Sequence, residues 1–227
     1  MAVERNSVVV EEYLQAIYSM QKSEDTVKSV LLVSQLNSSP STVHATLNRM
    51  QRDGLVTMGP KKEIHLTALG LSLAESLVYR HQLVETFLCE HLGIDWHEVH
   101  QHAHILEHGL TPLVVEKLAI FLGNPAHCPH GSPIPGNSPP KEMKFLSQVE
   151  PSETFEVVMV DESLEDSSEL MQFFQKNQLV PGQKMVLIER IEATRTLKLQ
   201  HNKDVFSLPF EVSKKIGVVL KKPSATT

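Results

Sequence analysis

Residues 38–67 read SSPSTVHATLNRMQRDGLVTMGPKKEIHLT. Ser39 stands at a helix N-cap position and Pro40 at the first helical position, a start signal for a helix. Val43, Leu47 and Met50 then recur at i, i+4 and i+7 and define an inward face. Ser41, Thr42, His44, Ala45, Asn48 and Arg49 fall on or near the outer face, together with Arg52. Just upstream, VLLVSQL (30–36) reads as a second short helix that Ser29 can cap and Asn37 ends. Two short helices joined by a tight turn, the second presenting small polar and basic side chains, describe a helix-turn-helix. Asp53-Gly54 ends the second helix, and LVTMG and EIHLT read as two short strands around Pro60-Lys61-Lys62. A hairpin with Lys61 and Lys62 at its tip, directly after a recognition helix, is a wing suited to phosphate contacts. With Ser39 at the cap, these residues form a candidate DNA-reading surface.

On the N-terminal side, residues 8–22 form an amphipathic pattern with Tyr13, Leu14, Ile17 and Tyr18 on one face. Glu11, Glu12 and Gln15 lie near its start. Acids there either complement the helix dipole or contribute a ligand to a metal held elsewhere. On the C-terminal side a long apolar helix is expected from Thr67 to about residue 92, a second from about residue 95, and a third over about 111–122. Leu69, Leu73, Leu77, Leu83, Val84, Phe87 and Leu88 give more apolar surface than one small domain needs. Together with Leu113, Leu118 and Leu122 they suggest a helical dimerisation unit, since winged domains usually read two half-sites as a dimer.

The second of these helices carries HQHAHILEH at residues 100–108. His100, His104 and His108 are spaced i, i+4, i+8, and Glu107 joins their stripe in a helix. Seven of the twelve histidines fall between His81 and His108, and that clustering turns the reading from bland surface histidines to metal ligands. Upstream, His81 and Glu85 form a second i, i+4 pair. Imidazole and carboxylate donors without cysteine suit a divalent ion of borderline hardness. One enzymatic alternative exists: His104-Ile-Leu-Glu107-His108 fits H-x-x-E-H, a zinc-peptidase pattern. It explains neither the wing nor His81, Glu85 and His100, so the chain is not expected to be an enzyme.

Residues 123–151 are rich in Pro and Gly and read as an irregular linker. His127, Cys128 and His130 within it lack a partner pair at zinc-finger spacing, which favours a structural turn. From about residue 154 the apolar period becomes two: FEVVMVD, MVLIERI, TLKLQ and VFSLPF read as strands of a small barrel-like β domain, with one helix near 167–177. Asp166 and Glu169 stand one turn apart at that helix start.

The chain has 227 residues, 41% hydrophobic and 21% charged, with a formal net charge of −6. That charge argues against bulk coating of nucleic acid, and residues 1–70 balance seven basic against seven acidic residues. Specific DNA affinity then needs dimerisation or a switch. Two cysteines, Cys89 and Cys128, are too few for a disulfide framework and point to a reducing cytoplasm. No stretch approaches the roughly 20 apolar residues of a membrane span, and the N-terminus lacks the apolar core of a signal peptide. A soluble cytoplasmic protein is expected.

With EEYLQAIY, LNRMQRDGLV, YRHQLVETFL, HILEH and CPHGSPIPG in this order, the chain resembles the diphtheria toxin repressor family of metal-dependent transcriptional regulators. The resemblance implies an α+β multidomain chain. Its parts are a winged helix-turn-helix domain (1–70), a helical metal-binding and dimerisation domain (71–137), a linker (138–150) and an SH3-like β-barrel (151–227). It implies a repressor that binds a palindromic double-stranded operator as a homodimer. Its primary metal site would be Glu12, His104, Glu107 and His108. Its ancillary site would be His81, Glu85 and His100, completed by Asp166 and Glu169 of the SH3-like domain. Position 104 is a Cys in iron-responsive members and a Glu in the small manganese regulators, and Gln15 stands where the two-metal manganese regulators have a second Glu. The absence of thiolate at 104 points to Mn(II), with Fe(II) as the alternative and zinc as a structural third.

Overall fold

The computed structural model describes residues 7–23 and 26–221. The described residues form two compact units, one within 1–81 together with Glu107–Gly109 and one within 82–106 and 110–221.

The first unit contains α1 (Val8–Ser23), α2 (Ser29–Gln35), α3 (Pro40–Arg52), β1 (Val56–Met58), β2 (Ile64–Leu66) and the first half of α4 (Ala68–Glu90). Val43, Leu47 and Met50 are buried as their spacing requires. They pack with Tyr13, Leu14 and Ile17 of α1, Leu32 of α2, Ile64 of the hairpin, and Leu77 of α4 in one core. Ser39 caps α3 by accepting a hydrogen bond from the Thr42 N–H (3.1 Å), with Pro40 behind it. Replacing Ser39 by Ala is expected to lower the unit's stability by about 0.5–2 kcal/mol; an unchanged urea midpoint would show that the cap contributes nothing. Ser29 does not cap α2. It is the first helical residue, and Lys28 occupies the N-cap position with no side-chain bond.

β1 and β2 pair antiparallel (Val56↔Leu66, Met58↔Ile64) and form the wing. At its tip the Glu63 carboxylate accepts from the Lys61 N–H (2.8 Å), and Lys62 takes a left-handed φ of 64°. Thr67 ties the wing to α4: its hydroxyl donates to the Gly54 carbonyl (2.6 Å) and accepts from the Gly70 N–H (3.0 Å). Gly70 is required there, because a Cβ would sit 2.0 Å from the Leu55 carbonyl oxygen.

The second unit contains the rest of α4, α5 (Val99–Leu106), α6 (Pro112–Phe121), β3 (Lys144–Phe145), β4 (Thr154–Val160), α7 (Ser168–Lys176), β5 (Lys184–Ile191), β6 (Thr196–His201), β7 (Asp204–Pro209), α8 (Phe210–Ser213) and β8 (Ile216–Lys221). Val84 and Leu88 of α4 pack on Val99 and Ala103 of α5. The strands form one antiparallel sheet in the order β3-β8-β4-β5-β6-β7. Alternate strand residues Phe155, Val157, Leu187, Leu197 and Leu199 meet Met171 and Phe174 of α7 in the core. β3 lies inside the stretch expected as linker and pairs with β8 (Lys144↔Val218); two residues are too few to show a period.

The histidine helix departs from its expected form. α5 ends at Leu106, and Glu107–Gly109 form a separate 3-10 turn. Thr111 caps the next helix.

Candidate metal centre

In the first unit, α1, α4 and the 107–109 turn bring a set of acids, amides and imidazoles together. Glu107 is fully buried. One carboxylate oxygen, Oε2, lies 2.6 Å from His81 Nδ1, and the other, Oε1, accepts from Gln15 Nε2 (2.8 Å). His108 has its Nε2 3.4 Å from Glu107 Oε1, while its Nδ1 lies 2.6 Å from Glu11 Oε2. Glu11 in turn lies 3.7 Å from the Arg80 guanidinium. Glu12 and His108 present donor atoms within 4.8 Å of one another, as do His81 and Glu107. Of the expected primary residues, Glu12, Glu107 and His108 are therefore gathered in this unit, and His81, assigned by resemblance to the ancillary set, bonds to Glu107. Glu11 was legible as a helix-dipole acid or a ligand from the first helix, without a partner to choose between them. Its spacing from Glu12 says nothing of which partner each meets.

The second unit holds its own donor cluster. His100 Nδ1 lies 3.2 Å from Glu85 and 3.0 Å from Glu165, and its Nε2 lies 3.4 Å from Asp166. His130, fully buried, has Nδ1 3.1 Å from Glu165 and 3.4 Å from Glu85, and its Nε2 lies 3.0 Å from the Trp96 carbonyl. Cys128 completes a buried triad of donors with Glu85 and His130. Cys128 and His130 do sit in a tight turn, since the Gly131 N–H donates to the Cys128 carbonyl, but that turn serves the cluster. Gly131, at φ 85°, fits where a Cβ would meet the Val158 carbonyl at 2.0 Å, and the His130 carbonyl accepts from the Val160 N–H. This close approach to β4 fixes the His130 ring. His104 stays exposed on α5, its ring stacked 6.5 Å from His100.

Two placements differ from what spacing suggests. Glu169 stands exposed on the first turn of α7, and Glu165, next to Asp166 in the chain, lies against His100 and His130. Glu165 precedes the Ser167 cap, outside the helix, so helical spacing could not reveal it. Cys128 and His130, set aside as a structural turn, are part of the donor cluster.

The charges of this cluster are coupled. Burial pulls His100 toward its neutral form, but Asp166, Glu165 and Glu85 outweigh that and raise its pKa. Burial likewise opposes protonation of His130, and Glu165 and Glu85 overcome it. Burial pushes the Cys128 thiol up to about 12. Glu165 Oε1 is buried and makes no hydrogen bond among the described residues. A buried carboxylate oxygen without a partner is costly, and a cation among Glu85, Cys128, His130, His100 and Glu165 would satisfy it. The donor set fits a divalent ion.

The candidate DNA-reading residues lie mostly at the surface. Ser39, Ser41, Thr42, His44, Ala45, Asn48, Lys61 and Lys62 are exposed. Arg49 is half-buried and donates to the Ser7 hydroxyl (3.0 Å), and Asn48 Nδ2 lies 3.0 Å from His44 Nδ1.

A winged helix-turn-helix unit that also holds buried metal-type donors defines a class of chain. Residues 7–64 match the family model for the N-terminal DNA binding domain of the iron dependent repressors, and residues 67–136 match their metal binding and dimerisation domain. The chain belongs to this family, that of the diphtheria toxin repressor. It is 36% identical over 126 residues to the iron-dependent repressor IdeR of Mycobacterium tuberculosis, covering 56% of this chain and 55% of that protein. To the diphtheria toxin repressor of Corynebacterium diphtheriae it is 33% identical over 126 residues, 56% of each chain. The matched region thus spans about half the length of these relatives. Among solved structures, a manganese-dependent transcriptional repressor in complex with manganese superposes with TM-score 0.82 at 26% identity, covering 93% of this chain and all of that one. The manganese regulator SloR superposes with TM-score 0.77 at 25% identity, covering 93% and 98%. The peptidase alternative finds no support. The matched family is one of repressors.

Proposed function

We propose that this chain is a metal-dependent transcriptional repressor that binds a palindromic DNA operator as a homodimer. The observation that carries the reading is the meeting of α1, an element of the winged unit, with Glu107 and His108, almost a hundred residues later in the chain. A cation shared by Glu12, Glu107 and His108 fixes the 107–109 turn on the DNA-reading unit. That turn connects α5 to α6. Metal then favours one arrangement of the recognition helices, and by linkage DNA tightens metal by the same factor, typically about 5–150-fold. In this reading residues 1–70 bind DNA, residues 71–137 bind metal and dimerise, residues 138–150 link, and residues 151–227 complete the second centre through Glu165 and Asp166. His104 is retained as a ligand of the first centre.

Dimerisation is supported by apolar side chains exposed on α5 and α6: Ile105 (72%), Leu113 (63%) and Phe121 (61%). Concentrated exposed apolar surface marks an interaction site, and a second copy covers it here. Among the described residues no helix is long and apolar enough to cross a membrane, consistent with a cytoplasmic regulator. Imidazole and carboxylate donors, without thiolate in the first centre, favour Mn(II), with Fe(II) as the alternative.

The test is binding of metal-stripped protein to fragments of its own genome, titrated with Mn(II) and with anaerobic Fe(II). Saturable binding to a palindromic site only with metal is expected, and binding indifferent to metal would overturn the reading. Arg49→Ala is expected to weaken DNA binding without changing Mn(II) affinity of the DNA-free protein. Unchanged DNA affinity in anisotropy titrations would move the reading surface elsewhere.

A further inference from the structure

We propose that Glu11 is the positioning residue for His108: it holds the imidazole in the one tautomer and orientation that can bind a metal, and Arg80 holds Glu11. This rests on the reading above that His108 is a ligand. Neighbouring acids on a helix point about 100° apart, so Glu11 and Glu12 have different tasks. Glu11 is 7% exposed, and its Oε2 stands 2.6 Å from His108 Nδ1. Its Oε1 faces the Arg80 guanidinium at 3.7 Å, and Arg80 is itself anchored on α4, its Nε donating to the Ser76 carbonyl (3.3 Å). A carboxylate oxygen accepts and does not donate, so at 2.6 Å the Nδ1–H of His108 donates to Glu11. The lone pair is then on Nε2, the nitrogen that faces Glu107 at 3.4 Å. Carboxylate–histidine–metal relays of this form fix ring orientation and raise ligand basicity. The sequence of contacts, Arg80 to Glu11 to His108, lies entirely within the winged unit and ties a residue of α1 to a metal ligand without Glu11 touching the metal.

The experiment uses the full chain and follows Mn(II) binding by the EPR signal of the free ion, without DNA. His108 tautomer is read in parallel by long-range 1H–15N NMR of metal-free protein. His108→Ala is the reference, expected to lose one Mn(II) per chain; if it binds Mn(II) as the wild type does, the ligand reading itself fails. Glu11→Ala is expected to weaken that same site by roughly 10–100-fold and to populate both His108 tautomers. Glu11→Gln keeps an acceptor oxygen for Nδ1–H and is expected to restore the Nε2 lone-pair tautomer and most of the affinity. Two results would overturn the proposal. One is a Glu11→Ala protein with lowered thermal stability but unchanged tautomer and Mn(II) affinity, which would make the contact structural only. The other is complete loss of the site in Glu11→Gln, which would make Glu11 a ligand.

Discussion

Glu107→Ala is expected to abolish metal-dependent DNA binding, with the apparent Mn(II) requirement rising at least about 100-fold. Glu107 is fully buried and bonded to both His81 and Gln15, with His108 close by. Removing it takes away the negative charge that draws a cation to the site. It also takes one hydrogen-bond partner from the buried His81 imidazole and one from the half-buried Gln15 amide, a loss on the order of 1–3 kcal/mol for a buried polar group. Part of any loss could therefore come from folding, and Glu107→Gln separates the two effects. The amide preserves volume and one acceptor while removing the charge, so it should keep the thermal transition near that of the wild type and still fail to respond to Mn(II). His108→Ala should match it. The measurement is anisotropy of a labelled operator fragment against free Mn(II), with sizing chromatography to show that each variant remains a dimer. A Glu107→Gln protein that responds normally to metal would place the activating centre elsewhere, with the cluster around Glu165 the next candidate.

What the sequence disclosed and what it hid follow a physical division. Period and cap chemistry act locally, so Val43, Leu47 and Met50, the Ser39 cap and the paired strands around Lys61 and Lys62 were legible residue by residue. The helix around Ser167 was legible for the same reason. The histidine stripe was legible as a concentration of donors but not as geometry. Helical spacing holds only as far as Leu106, and Glu107 and His108 lie in the 3-10 turn that follows. Glu165, Cys128 and His130 lie in turns, where no period connects them, and they meet only because Gly131 lets the linker run against β4. Glu11 and Glu12 were equivalent as sequence, and only the fold separates the acid beside His108 Nδ1 and Arg80 from its neighbour.

Mn(II) affinity at the second centre is expected to fall steeply with acidity, roughly tenfold per pH unit for each proton that binding displaces. The carboxylates of Glu85, Glu165 and Asp166 surround His100, and the first two also face His130; despite burial, both imidazoles are raised above their ordinary value of 6.5. The metal-free cluster therefore keeps its protons through neutral pH, and a cation must replace them. A ligating Cys128, with its thiol pushed to about 12, would release a further proton. The sign for stability is opposite. A histidine whose folded pKa lies above its unfolded one contributes in full below about 6.5 and loses that contribution as pH rises through the folded value. Metal-free protein should thus become less stable between pH 7 and 9, while saturating Mn(II) stabilises it more as pH rises. Calorimetry in buffers of different ionisation enthalpy counts the protons released, and thermal unfolding at each pH follows the stability. Glu165→Gln removes one carboxylate shared by both histidines, and both slopes should flatten in that variant. Slopes unaltered by Glu165→Gln would mean that the protons reside on other groups and that Glu165 is not the acid coupling the two rings.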